Sequence, residues 1–225
     1  MPSFDIVKKN EVEKTFKVAK IMGEFDVELK HSNEHFQGKI EIENKNWQIG
    51  IIVGASGTGK TTIAKELFPD KYISKFDYNK KSVLDNVGNH SVDDITKMFY
   101  AVGFGSVPSW LKPYHVLSNG EKMRVDLANA LLNEQYIVFD EFTSVVDRNV
   151  AQTACIAINK ALKRTGKQFI AVTCHYDVIE WLEPDWIFDT NKMTYWEGKK
   201  KDLKKNFMLE NANETNGENL NVIII

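Results

Sequence analysis

Cysteine is scarce in this chain, with only Cys155 and Cys174 among 225 residues. Both lie in apolar stretches, so a disulfide framework is excluded and the pair reads as small core residues of a reduced, cytoplasmic protein. Charge of one sign is missing as well. The 29 basic and 31 acidic residues leave a formal net charge of −2, so no whole-molecule field favours a membrane surface or nucleic acid. Arginine occurs only at positions 124, 148 and 164. No apolar run approaches the ~20 residues of a membrane span, and no N-terminal stretch has the form of a secretion signal. Hydrophobic residues nonetheless make up 43%, enough to close the core of one domain.

Residues 1–14 are charged and without periodicity, and read as a loose leader. From Thr15 to about Gly50, short alternating segments (Phe16 to Ile21, Phe25 to Val27, Lys39 to Ile42) predict an antiparallel β layer. The apolar run Trp47 to Val53 predicts a buried strand, followed by a helix from Lys60 to Leu67 that stops before Pro69. Further helices are expected at Val92–Val102, Asn119–Leu132 and about Asn149–Arg164. Strands are expected at Tyr136–Phe139 and Gln168–Thr173, and a closing hairpin pairs Trp186–Asp189 with Met193–Trp196. Strands alternating with helices predict an α/β fold with a largely parallel central sheet. The chain from 198 to 225 is basic and then Asn-rich and reads as a disordered tail. Its Lys199 to Lys205 run reads as a solvated patch rather than a nucleic-acid site.

The stretch Gly54-Ala55-Ser56-Gly57-Thr58-Gly59-Lys60-Thr61-Thr62 matches the phosphate-loop pattern G-x-x-x-x-G-K-[ST], set between a buried strand and a helix start. Glycines let successive N–H groups turn toward phosphate oxygens, and the helix N-terminus adds partial positive charge. In such a loop Lys60 reaches the β- and γ-phosphates and the Thr61 hydroxyl ligates Mg²⁺. Tyr136-Ile137-Val138-Phe139 ends in Asp140-Glu141, at the end of a strand where open α/β sheets bind ligands. Asp140 is placed to hold Mg²⁺ or its water. Glu141 points the other way along the strand, placed to orient or deprotonate an attacking water. His175 follows the strand expected to neighbour that of Asp140, placed to hydrogen-bond a γ-phosphate and report its loss. Ser118 and Glu121 fit a capping box at a helix start, and a capped N-terminus is itself an anion site.

In this order the motifs resemble the ABC-class ATPases: Walker A (Gly54 to Thr62), signature (Leu117 to Glu121), Walker B (Tyr136 to Glu141), a D-loop segment (Ser144 to Asp147) and a switch histidine (His175). The resemblance covers about residues 15–197. It implies a P-loop NTPase of ABC-type ATPase fold, with a small N-terminal antiparallel β layer and a reduced helical subdomain. It further implies ATP and Mg²⁺ as cofactors, and a second protomer whose signature, through Ser118 and Gly120, closes on the ATP held by the first. Phe25 is the candidate for stacking on adenine.

Three departures bear on this. Asn119 stands where the family has Gly, and Glu121 where it often has Gln. No glutamine lies between Thr61 and Leu117, leaving Asp77 or Asn79 as candidates for the Q-loop position. The interval from Walker A to signature is too short for a transporter's docking subdomain or a coiled-coil arm. A closer resemblance is to a soluble bacterial and phage branch in which an ABC-type ATPase precedes a GNAT-type acetyltransferase, carried by the segments Asp140 to Arg148 and Cys174 to Trp186. This chain ends where that acetyltransferase would begin, so it is expected to lack that activity, with a separate acetyltransferase or nucleic-acid-modifying enzyme as a candidate partner. Two readings remain open: an ATPase that dimerises on ATP and drives a partner, and an ATP-binding switch with little turnover. A small-molecule P-loop kinase leaves the signature and His175 unexplained.

Overall fold

Five of the six strands in the main sheet run parallel, and its central strands are buried on both faces. In a computed structural model the described residues are 3–10, 13–28, 32–73 and 75–197. The sequence expectations for the tail, including Lys199 to Lys205, lie outside them. The main sheet comprises β3 (Ile49–Val53), β4 (Tyr72–Ile73), β5 (Tyr136–Phe139), β6 (Gln168–Thr173), β7 (Trp186–Asp189) and β8 (Thr194–Glu197). Their order across it is β4-β5-β6-β3-β7-β8, with only β8 antiparallel. The helices are α1 (Phe16–Phe25), α2 (Lys60–Leu67), α3 (Val92–Ala101), α4 (Val107–Trp110), α5 (Asn119–Asn133), α6 (Arg148–Thr165) and α7 (Asp177–Leu182).

Alternation along the central strands sorts the core into two layers. Ile49, Ile51 and Val53 of β3 face α3, α5, α6 and α7, together with Ile137, Phe169, Ala171 and Ile187. Ile52, Val138, Ile170, Val172, Trp186 and Phe188 face the opposite layer, formed by α2 and the N-terminal strands. Strands covered on both faces are apolar without interruption, which is why the sequence marked them clearly. Caps set the long helices: Ser118 accepts from the Glu121 N–H at the start of α5, and Asp147 accepts from Asn149 and Val150 at the start of α6. Gly166, at φ 68°, ends α6.

The N-terminal region departs from the sequence reading. Within the stretch read as a loose leader, residues 3–10 are ordered, because β1 (Ser3–Asn10) pairs antiparallel with β2 (Ser32–Lys39). Phe4 anchors it, buried edge-to-face on Phe188 with ring centroids 5.7 Å apart, and Gly38 leaves the space this ring occupies. The antiparallel layer therefore exists with different members. Phe16 to Ile21 is not a strand but the first half of α1, N-capped by Thr15. Val18, Ile21, Met22 and Phe25 recur at helical spacing, a signal that the local Phe-Lys-Val-Ala-Lys-Ile alternation obscured. None of the residues of α1 is buried.

Between β4 and α5 the polypeptide forms the small helical region expected from the short interval, and a polar cluster ties it to α5. Tyr78 and Tyr114 stack at 4.0 Å and each donates its hydroxyl to the Asp126 carboxylate at 2.7 Å. Asn129 donates in turn to the Tyr78 hydroxyl. Burial pushes the Asp126 carboxyl up to about 6, although both tyrosines and Lys122 oppose the shift. A folded-state pKa raised above the unfolded value gives stability that is complete below the unfolded pKa and lost as pH rises through the folded one. Asp126→Asn has no such loss. Its stability relative to wild type, measured by chemical denaturation, is expected to rise on the order of 2 kcal/mol between about pH 4 and about pH 7.5. A difference that does not change with pH would contradict this assignment.

Candidate functional site

Four parallel strands deliver their C-terminal ends to one edge of the sheet, and the candidate residues follow three of them there: Gly54 after β3, Asp140 after β5 and His175 after β6, with Thr190 after β7 beside them. The loop 54–59 leaves β3 and enters α2 at Gly59, whose φ of 85° places the N-cap in the left-handed region that glycine tolerates. No side chain caps α2, so its first-turn N–H groups stay open to an anion. A Cβ at Gly57 would meet nothing within 4 Å, so the crest of the loop is open. Lys60 Nζ donates to Ala55 O at 2.7 Å, folded over the loop, and Thr58 Oγ1 donates to the same carbonyl at 2.9 Å.

The loop is held by partners distant in sequence. Thr58 Oγ1 and Thr190 Oγ1 lie 2.5 Å apart, and the Ala55 N–H donates to Asn191 Oδ1 at 3.1 Å. The β7–β8 turn is therefore a buttress beneath the phosphate loop. Phe36 of β2 packs so closely on Gly59 that a Cβ there would come within 2.7 Å of its ring. Phe25, the expected adenine platform, is two-thirds exposed at the end of α1, and Phe36 is a further aromatic ring, packed on the loop at Gly59. Neither the buttress nor Phe36 carries a local signal in the sequence.

Asp140 joins the loop to the end of β5. Its N–H donates to Ile73 O at 3.0 Å, its Oδ1 accepts from the Glu141 N–H at 2.9 Å, and its Oδ2 accepts from Thr61 Oγ1 at 2.9 Å and from the Tyr72 hydroxyl. Glu141 is exposed and adopts φ 52°. A left-handed turn, not the period-two alternation of a strand, therefore sets its direction, which corrects the sequence argument for its orientation. Such a conformation in a non-glycine residue costs about 1–3 kcal/mol and concentrates at functional sites. Among the described residues, no group of three or more His, Cys, Asp or Glu side chains comes together as a metal site. The hydroxyl and carboxylate of Thr61 and Asp140 suit an ion such as Mg²⁺, which takes its remaining ligands from phosphate and water.

His175 is half-buried, and burial followed by the nearby Arg148 charge lowers its pKa below the ordinary value, against the opposing pull of Asp177 and Glu141. It is therefore a neutral hydrogen-bonding group at pH 7. Arg148, which the sequence reading left without a role, grips Asp177 with two of its nitrogens, stacks over Trp181 at 5.1 Å and reaches Thr143 Oγ1 at 3.5 Å. It ties the turn after Asp140 to the start of α7, two residues beyond His175.

The capping box on α5 is complete, with Glu121 Oε2 accepting from the Ser118 N–H at 2.9 Å while Ser118 Oγ accepts from the Glu121 N–H at 3.3 Å. Hydrogen bonds from Ser109 and Ser118 lower the Glu121 pKa, keeping this residue ionised. Ser118 and Asn119 are exposed and Gly120 is half-buried. Among the described residues, no hydrogen bond joins 117–121 to 54–62. The structure thus brings Lys60, Thr61 and Asp140 together around the loop and leaves the signature tip facing outward.

No protein-family model matches the chain. The chain is 27% identical over 203 residues to the methionine import ATP-binding protein MetN of Clostridioides difficile (strain 630), matching 68% of this chain and 62% of that protein's length. Among solved structures it is similar to the dimeric form of MJ0796, a bacterial ABC transporter cassette, with TM-score 0.55 and 18% identity over 83% of this chain and 92% of that one. It is similar also to a bacterial Atm1-family ABC exporter with ATP bound, with TM-score 0.57 and 18% identity over 93% of this chain and 42% of that one. No helix of the described residues is long and apolar enough to cross a membrane. The chain has the α/β P-loop fold of the ABC ATPase cassettes.

Proposed function

We propose that this chain is an ATPase that binds ATP with Mg²⁺, pairs with a second copy while the nucleotide is held, and parts after hydrolysis. The observation that carries the proposal is the convergence of Thr61 and Asp140 at 2.9 Å beneath an open glycine loop. The Mg²⁺ ion, when bound, supplies neutralisation of the phosphate charge. The protein's own residues do the rest. Loop N–H groups and Lys60 bind the phosphates, Thr61 and Asp140 hold the ion, Glu141 orients and deprotonates water, and His175 donates a hydrogen bond toward the terminal phosphate. The exposed Ser118 and the half-buried Gly120 supply the second half of the pocket to the partner copy; the dimeric form of the similar cassette MJ0796 supports the pairing.

Phosphate release compared between wild type and Lys60→Ala tests this reading. Losing one charge-assisted contact of 1.5–3 kcal/mol is expected to lower kcat/KM roughly 10- to 100-fold. Equal rates would remove the loop from the reaction. A second reading is an ATP-dependent switch with little turnover, acting on a separate partner such as an acetyltransferase or nucleic-acid-modifying enzyme. One observation favours it: the Ser118 hydroxyl lies 3.0 Å from Glu121 Oε2, a bond it must release before meeting any phosphate. Wild-type phosphate release indistinguishable from that of Lys60→Ala, with ATP binding intact, would select the switch.

A further inference from the structure

We infer that Tyr72 is a positioning residue for the metal-holding carboxylate, acting through Asp140; the inference rests on the Mg²⁺–nucleotide reading above. The strand that carries it, β4, is only two residues long, and both serve Asp140. Ile73 accepts the Asp140 N–H at 3.0 Å, and the Tyr72 hydroxyl donates to Asp140 Oδ2. The register explains why: Tyr72 lies opposite Val138 and Ile73 opposite Phe139, so the end of β4 sits beside the end of β5, which Asp140 directly follows. Asp140 Oδ2 accepts two hydroxyls at once, from Thr61 and from Tyr72, while Oδ1 is fixed by the Glu141 N–H. Both carboxylate oxygens are therefore aimed.

The two hydroxyls differ in what they can do next. Thr61 is the one assigned to the ion, so its bond to Asp140 is the one that ion binding exchanges. Tyr72 then remains as the donor that keeps the carboxylate turned toward Thr61. Its ring is fixed independently, packed on the lower core layer with the Lys65 ammonium 5.0 Å above it. A donor that orients a metal-holding group typically contributes 10–100-fold to ion affinity without touching the ion. Packing alone would be served equally by phenylalanine.

The test is Tyr72→Phe, which keeps the ring and removes one hydroxyl. Binding of a fluorescent ATP analogue is titrated with EDTA and then across Mg²⁺ concentrations, in the wild type, the Tyr72→Phe variant, Asp140→Asn and the double variant. The expected result is unchanged affinity in EDTA and a Mg²⁺ half-saturation raised ~10-fold in Tyr72→Phe. In the Asp140→Asn background the same substitution is expected to change nothing, because its effect passes through that carboxylate. A Mg²⁺ dependence equal to wild type overturns the inference, as does equal weakening with and without the ion. Wild type that gains no affinity from Mg²⁺ overturns the nucleotide reading itself, and this inference with it.

Discussion

Replacing Glu141 by Gln is expected to lower phosphate release by about 10³-fold while leaving ATP binding intact, and to leave an ATP-loaded dimer on size-exclusion chromatography. The substitution is nearly isosteric. The backbone at φ 52° and the N–H bond to Asp140 Oδ1 belong to the main chain and are untouched, so the metal-holding carboxylate keeps its aim. What is lost is a base at the end of β5 and one negative charge beside the phosphates. Loss of that charge also removes one of the two carboxylates that hold the His175 pKa up, so His175 is expected to titrate lower in the variant, visible by NMR of the imidazole. A Glu141→Gln chain that stays monomeric at saturating Mg²⁺ and ATP would refute the shared-pocket proposal. One that dimerises and still hydrolyses ATP would remove Glu141 from the role of base.

The legibility of this site in the sequence depends on the distance along the chain between its parts. The loop from Gly54 to Thr62 and the pair Asp140-Glu141 announce themselves locally, because an apolar strand runs directly into them. The capping box of Ser118 and Glu121 is likewise complete within four residues. Tyr72, Thr190, Asn191 and Phe36 are invisible in the same sequence, since each acts on a group far along the chain and gains its meaning only from strand order. Thr190 meets Thr58, and Tyr72 meets Asp140, because β7 and β4 flank the strands that carry the loop and the acid. At the N-terminus the difficulty is different. Phe16 to Ile21 satisfies two periods at once, and the Thr15 cap decides for helix. In β1, the charges at Asp5, Lys8 and Lys9 hide a strand whose one decisive contact, Phe4 on Phe188, spans most of the chain.

Gly50 raises the same issue in the core, and Gly50→Ala is expected to destabilise the fold by about 3 kcal/mol or more. The glycine does not serve a turn. It sits in the middle of β3, where glycine ordinarily weakens a strand. Its reason lies on the neighbouring strand, since Gly50 is the register partner of Trp186, and an added Cβ would fall 2.0 Å from Cζ2 and 2.2 Å from Cε2 of that indole. Trp186 is almost fully buried and cannot swing away, being set edge-to-face against Trp47 at 5.5 Å and flanked by Tyr195 at 6.1 Å. A methyl group must therefore displace a large ring that two other rings enclose. For a domain of this size, 3 kcal/mol lowers Tm by roughly 6–12 °C. If the clash is the cause, shrinking the ring relieves it, so Gly50→Ala combined with Trp186→Leu is expected to cost clearly less than the sum of the two single changes. Strict additivity would locate the cost in the strand backbone instead. Because β3 leads into the phosphate loop, ATP affinity of the folded fraction separates the two layers of the design. It is expected to stay near wild type in Gly50→Ala, since Gly50 faces the lower core while the loop takes its shape from Gly57, Gly59, Thr190 and Asn191.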